Sequence, residues 1–108
     1  MSKHKYQRRL FHRYGGNPIL SPERWPYPAN STFNPGAVQH NGETWLLVRV
    51  EDMRGFSHLT FARSKDGITS WQIDDLPTLL PDPVHNEEQW GIEDPRIVWL
   101  PEREEFAV

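Results

Sequence analysis

The sequence predicts an all-β protein, and three observations carry that prediction. An Asn41-Gly42 pair sits between two apolar runs, one of those runs is apolar on both of its faces, and no segment keeps a helical apolar period. Asn-Gly takes up the positive-φ pair of a type I′ turn more readily than almost any other dipeptide, so residues 37–40 and 43–51 read as the two arms of a hairpin. In the second arm Trp45, Leu47 and Arg49 share one face, and Leu46, Val48 and Val50 share the other. Such a strand needs cover on both sides, which stacked sheets provide and a half-exposed ribbon does not.

The other elements follow in chain order. Residues 14–35 carry Gly15, Gly16, Pro18, Pro22, Pro26, Pro28 and Pro35. Proline lacks a backbone donor and pushes its predecessor toward extended geometry, so this stretch is expected to be irregular chain. Trp25 and Tyr27 are expected to fix it by burying their rings. A third strand is expected around 59–63, ending at the turn Ser64-Lys65-Asp66-Gly67, and Trp71-Gln72-Ile73 opens another extended piece. Residues 74–91 read as an acidic loop with Pro77, Pro81 and Pro83, residues 97–100 as a strand, and 101–105 as a polar turn. An apolar run opens at 106–108 and stops at once, which in this reading leaves a strand without a partner. Folded chains avoid or cover unpaired edges, so the sequence is expected to break off inside a larger domain.

Composition narrows the function classes. At 108 residues the chain has the length of an ordinary single domain. With no cysteine, a disulfide scaffold and a cysteine-based zinc site are excluded. No stretch approaches the roughly 20 apolar residues of a membrane span, and the start lacks the apolar core of a signal peptide. The expected address is the cytoplasm, with no membrane partner. Residues 1–13 carry Lys3, Lys5, Arg8, Arg9 and Arg13 and no acid, while the remainder is acidic enough to bring the net charge to −3. Bases gathered at a terminus, not along a folded face, read as a solvated tail, so residues 14–108 are the expected domain and nucleic acid is not an expected partner.

Three polar positions stand out as chemical candidates. Asn34 lies between Phe33 and Pro35-Gly36, ahead of the first hairpin strand, where it serves a turn or contacts a ligand. Arg49 falls near the end of the most apolar strand and must be paired if buried; Glu51 and Asp52 are the nearest partners in sequence. Asp94 belongs to Gly91-Ile92-Glu93-Asp94-Pro95-Arg96, a carboxylate pair between a glycine and a proline. That setting holds a carboxyl group in a fixed direction, suited to a general acid, and equally to a turn aspartate paired with Arg96. His4, His12, His40, His58 and His85 show no metal-ligand spacing, so no metal is expected.

Taken in order, Asn17-Pro18-Ile19-Leu20, Phe33-Asn34-Pro35-Gly36-Ala37, Leu47-Val48-Arg49, Ala62-Arg63-Ser64-Lys65-Asp66-Gly67 and Gly91-Ile92-Glu93-Asp94-Pro95-Arg96 form a set. The set resembles the amino-terminal part of glycoside hydrolase family 130, the mannoside phosphorylases and related mannosidases, over residues 14–108. The resemblance implies a five-bladed β-propeller, of which a chain of this length supplies roughly one and a half to two blades. It implies inverting phosphorolysis of a β-mannoside, of mannobiose or mannosyl-glucose type, to α-mannose 1-phosphate. Asp94 would be the acid, passing its proton through the mannose 3-hydroxyl, and Asn34 and Arg49 would hold mannose hydroxyls. No cofactor is implied; inorganic phosphate is the co-substrate and an oligosaccharide the substrate, with homo-oligomerisation of the full-length protein compatible with the reading. The family's phosphate-binding residues are expected beyond Val108, so hydrolysis by a β-mannosidase, or a truncated remnant that binds mannosides without catalysis, stays open beside phosphorolysis. The 108-residue chain alone is expected to be inactive.

Overall fold

The computed structural model describes residues 10–108; the first nine residues of the basic segment, with His4, lie outside the described residues, and Leu10 to Arg13 are exposed. The all-β expectation holds. β1 (Ser31–His40), β2 (Glu43–Glu51), β3 (Ser57–Ser64) and β4 (Gln72–Ile73) form a four-stranded antiparallel meander in chain order. β5 (Val98–Leu100) and β6 (Glu105–Ala107) form a separate antiparallel hairpin. Two short 3-10 turns, Pro22–Arg24 and Asn86–Glu88, interrupt the connecting chain.

The β1–β2 turn is the expected one, with Asn41 at φ 50° and Gly42 at φ 73° and His40 paired with Glu43. β1 starts earlier than the sequence suggests. It takes in Phe33, Asn34 and Pro35, so Asn34 lies inside the strand and not ahead of it. A proline argues against a central strand, but β1 is the edge of the sheet, and its register shifts between Thr32 and Pro35. An edge bulge accommodates a proline there and turns the neighbouring side chains outward.

β2 is covered on both faces, as its composition requires. On one face Val48, Val50 and Ala62 pack with Trp25, and Leu20, Tyr27, Leu46, Trp71 and Ile73 close round them. The proline-rich loop therefore lies across the sheet, with Trp25 only 7 % exposed. On the other face Trp45 and Phe61 meet Phe106 of β6 at ring separations of 5.4 and 5.7 Å, and Trp99 of β5 lies 4.0 Å from His40 and 4.9 Å from Phe106. Leu47 and Val50, on opposite faces, are both at 0 % exposure. β6 thus has the partner that the sequence reading denied it: Trp99 pairs with Phe106 across a tight turn in which Arg103 N donates to Leu100 O at 3.2 Å. The pairing was missed because β5 and its turn are short, and the aromatic layer that orders them comes from the sheet beneath.

Loop 74–91 is tied to the sheet by its backbone. Leu59 and Leu79 exchange two hydrogen bonds at 3.0 and 2.9 Å, and Gly91 forms a parallel bridge with Ser57. The turn after β3 is held by Asp66, whose carboxylate accepts from Ser64 Oγ, Ile68 N, Thr69 N and Thr69 Oγ1 at 2.5–2.9 Å. These donors, those of Thr69 foremost, keep the Asp66 carboxyl far below the usual carboxylate range. Ser64-Lys65-Asp66-Gly67 is a folding turn, as read from the sequence.

A buried polar knot joins the proline-rich loop to β3. The Tyr27 hydroxyl lies 2.6 Å from His58 Nε2 and 2.6 Å from Thr60 Oγ1, and His58 and Thr60 are buried. Burial holds the His58 imidazole below its ordinary 6.5, against a smaller upward pull from Asp52. The unfolded chain then binds the proton more readily than the folded one, so stability is full above about 6.5 and falls as pH is lowered beneath it. The denaturation midpoint is expected to drop between about pH 7.5 and about pH 5.5, and His58→Gln to flatten that interval. Asp52 and Asp66, whose carboxyls sit below their ordinary 3.8, add their own loss only in more acidic solution. An unchanged slope in His58→Gln would assign the titration to another group.

Candidate active site

The segment 91–95 reaches the sheet because two side chains are missing. A Cβ on Gly91 (φ 111°) would lie 2.7 Å from Ser57 N and 2.9 Å from Ser57 O. A Cβ on Gly36 would lie 2.9 Å from the Pro95 carbonyl oxygen. The chain is thus held backbone to backbone at both ends, over β3 through Gly91 and over β1 through Gly36, with Pro95 itself buried. Between the clamps Glu93 and Asp94 are exposed, and Asp94 takes φ 51°, a left-handed conformation that is uncommon outside glycine and that asparagine and aspartate adopt more readily than other side chains. A local strain of this kind persists only where the surroundings over-determine it, and it marks candidate functional positions.

The clamped segment meets side chains from β1, β2 and β3. Asn34 Nδ2 donates to Asp94 Oδ1 at 3.2 Å, joining two of the three sequence candidates directly. Arg49, the third, donates from Nη2 to Glu93 Oε1 at 2.9 Å and from Nε to Ser57 Oγ at 2.9 Å. Its guanidinium carbon lies 4.5 Å over the Phe33 ring. The bulge in β1 sets Phe33 and Asn34 beside one another on the sheet edge, so one side chain meets the arginine and the other the aspartate.

The ion-pair expectations from sequence are corrected. Arg49 pairs with Glu93, not with Glu51 or Asp52. Glu51 instead accepts from Asn30 Nδ2 at 2.7 Å. Asp52 is spent on the β2–β3 turn, accepting from Arg54 N, Phe56 N and the Arg54 guanidinium. Burial pushes the Asp52 carboxyl up, but these donors together outweigh it and hold it below 3.8. Neither is Asp94 paired with Arg96, whose Nη1 donates to the backbone carbonyls of Asp94 and Pro95 at 3.3 Å. Glu51 shares the face of Arg49 but is taken by Asn30, and Asp52 by its own turn, while the clamped segment brings the distant Glu93 within reach of the guanidinium.

Phe33 and Ser57 escaped the sequence reading. Phe33 adjoins Asn34 in the motif, so an aromatic beside a polar bulge residue was the available signal. Ser57 had none, since only the β2–β3 register, which sets Arg49 opposite Leu59 and Glu51 opposite Ser57, brings its hydroxyl to the arginine. A cavity of about 450 Å³ opens on the other side of Ser57, lined by Asp52, Arg54, Phe56, His58, Gln89 and Gly91 among others. The assembly is therefore a shelf of two carboxyls, one of them paired with a braced guanidinium, and one carboxamide beside a cleft. It can donate hydrogen bonds to hydroxyls and present one carboxyl for proton transfer.

Gly91→Ala should separate the steric from the conformational part of this arrangement. With φ strain and a backbone contact combined, an alanine there is expected to cost about 2–3 kcal/mol, read as a lowered urea midpoint at unchanged slope. A cost below about 1 kcal/mol would mean that the segment moves off Ser57 freely.

None of the protein-family models compared with the sequence matches it. The chain is 35 % identical over 78 residues to the 4-O-beta-D-mannosyl-D-glucose phosphorylase of Bacteroides fragilis, an alignment covering 69 % of this chain and 20 % of that protein. A solved glycosyl hydrolase from Bacteroides ovatus matches 85 % of this chain at 33 % identity and a TM-score of 0.69. A second solved chain, from Parabacteroides distasonis, matches 94 % of this chain at 28 % identity and the same TM-score of 0.69. The chain spans 31 % and 35 % of those two structures, so it corresponds to about a third of their length. The ordered motifs, the shared sheet and these identities point one way: over the residues matched, the chain is similar to the proteins of glycoside hydrolase family 130.

Proposed function

We propose that the protein is an inverting β-mannoside phosphorylase in which this chain holds the mannose and supplies the acid. The observation that carries the reading is the contact of Asn34 with Asp94 beside the braced Arg49, on a chain 35 % identical to a mannosyl-glucose phosphorylase. In this reading the four-stranded meander is one propeller blade and the β5–β6 hairpin belongs to the next, within a cytoplasmic protein whose sugar-binding domain includes residues 14–108.

The chemistry follows from the shelf. Inorganic phosphate forms a bond to the anomeric carbon on the face opposite the leaving sugar, and the glycosidic carbon–oxygen bond breaks. The leaving oxygen needs a proton. Asp94 supplies it, passed through the mannose 3-hydroxyl as the family resemblance implies, and the products are α-mannose 1-phosphate and the released sugar. Asn34 occupies Oδ1 of Asp94, which leaves Oδ2 to carry the proton. Phosphate arrives anionic, so no second carboxylate is required as a base, whereas an inverting hydrolase needs one to activate water. Arg49 and Asn34 donate to the mannose hydroxyls. The cleft beside Ser57 offers room for the released sugar.

A second reading has its own support: a glycosyl hydrolase is among the matched structures, which favours water as the acceptor on the same shelf. One assay divides the two. Mannosyl-glucose is incubated with and without phosphate, and sugar phosphate and free mannose are both measured. Phosphate-dependent formation of mannose 1-phosphate is expected, and free mannose formed without phosphate would select hydrolysis. Asp94→Asn is expected to lower the rate by about 10²–10⁴, the usual contribution of a general acid. Wild-type turnover in that variant would remove Asp94 from the role.

A further inference from the structure

Arg49 is braced on three sides, by Ser57 at Nε, Glu93 at Nη2 and the Phe33 ring beneath. Among the described residues, Arg49 Nη1 and Glu93 Oε2 have no protein partner. The two side chains are partly open to solvent, with exposures of 20 % for Arg49 and 54 % for Glu93. An ion pair this open adds little to the stability of a fold, so its charge balance and its outward-facing atoms are what call for an explanation.

We propose that Glu93 determines specificity: with Arg49 it forms a neutral donor–acceptor pair that reads adjacent hydroxyls of a sugar ring and keeps phosphate off this arginine. The proposal rests on the mannoside reading of the site. A guanidinium only donates hydrogen bonds and a carboxylate only accepts them, whereas a hydroxyl does both. Two neighbouring hydroxyls match the pair, one accepting from Nη1 and the other donating to Oε2. Phosphate matches it poorly. An unpaired guanidinium would take a phosphate with two parallel hydrogen bonds, but here Nη2 is already committed to a carboxylate whose charge repels the anion. In a reaction that uses phosphate as co-substrate, an arginine at the sugar position without that guard would be occupied by the wrong reactant.

The test is equilibrium binding, not turnover. Methyl β-mannoside is titrated into the protein with and without inorganic phosphate, for wild type, Glu93→Gln and Glu93→Asp, with circular dichroism confirming each fold. Glu93→Gln is expected to lose about tenfold or more in mannoside affinity and to acquire competition by phosphate. Glu93→Asp, with the carboxylate drawn back by one methylene, is expected to bind the mannoside more weakly yet still exclude phosphate. Mannoside affinity within about twofold of wild type in Glu93→Gln, or phosphate competition in Glu93→Asp, overturns the proposal. Wild-type protein that binds no mannoside overturns the mannoside reading itself, and this proposal with it, a result distinct from either variant outcome.

Discussion

Everything at the candidate site depends on how closely the chain at 91–95 can approach the sheet. Backbone meets backbone at Gly91 over Ser57 and at Gly36 under Pro95, with no side chain between. Two contacts of this kind fix a short segment in position and direction. They leave Glu93 and Asp94 projecting from a rigid bridge, and the positive φ of Asp94 is what such a bridge can sustain. A loop held by side chains alone would give these carboxylates far more freedom and no defined partner.

The sheet beneath that bridge is itself held by two unlike covers. One face is packed by the proline-rich loop through Trp25, Leu20 and Tyr27. The other is packed by the aromatic layer of Trp99 and Phe106 from the hairpin. Aromatic rings bury large areas each and prefer the edge-on and tilted packings seen here, so a hairpin of two three-residue strands can be ordered by the surface on which it lies. The site sits at the end of the face that the hairpin covers. Arg49 extends the same row as Trp45 and Leu47, passing from the aromatic layer to the polar shelf within one strand.

Charge is arranged economically on that shelf. Arg49 is balanced by Glu93 and Asp94 is met by a neutral amide, so the arginine's partner and the proposed acid are different carboxylates. Neighbours in sequence thereby acquire different environments. That separation of roles is what lets adjacent carboxylates serve one site without acting as equivalents. The likeness to family 130 is in keeping with the proposed polyhydroxylated ligand, since hydroxyls need donors and acceptors side by side and a neutral background.

Much of the fold was legible from local chemistry. The Asn41-Gly42 turn, the doubly apolar β2, the Asp66 turn and the punctuated loop with its buried Trp25 each follow from residues close in sequence, because turn geometry and alternation are short-range properties. Asn34, Arg49 and Asp94 were legible as positions, as was the stiffness of the segment bearing Asp94. Their partners were not. Asn34 and Asp94 lie 60 residues apart and Arg49 and Glu93 44 residues apart, and no local preference specifies which carboxylate a guanidinium will meet across such a distance. The strand that absorbs Pro35 and the hairpin that pairs β6 were likewise decided by packing, since an edge position excuses a proline and a waiting aromatic face rewards a short strand. The sequence by itself determined the turns, the alternation and the residues able to do chemistry. Only the tertiary structure decided which of them meet, because contact between distant residues depends on where the intervening backbone can approach, and here that was settled by the missing side chains of Gly36 and Gly91.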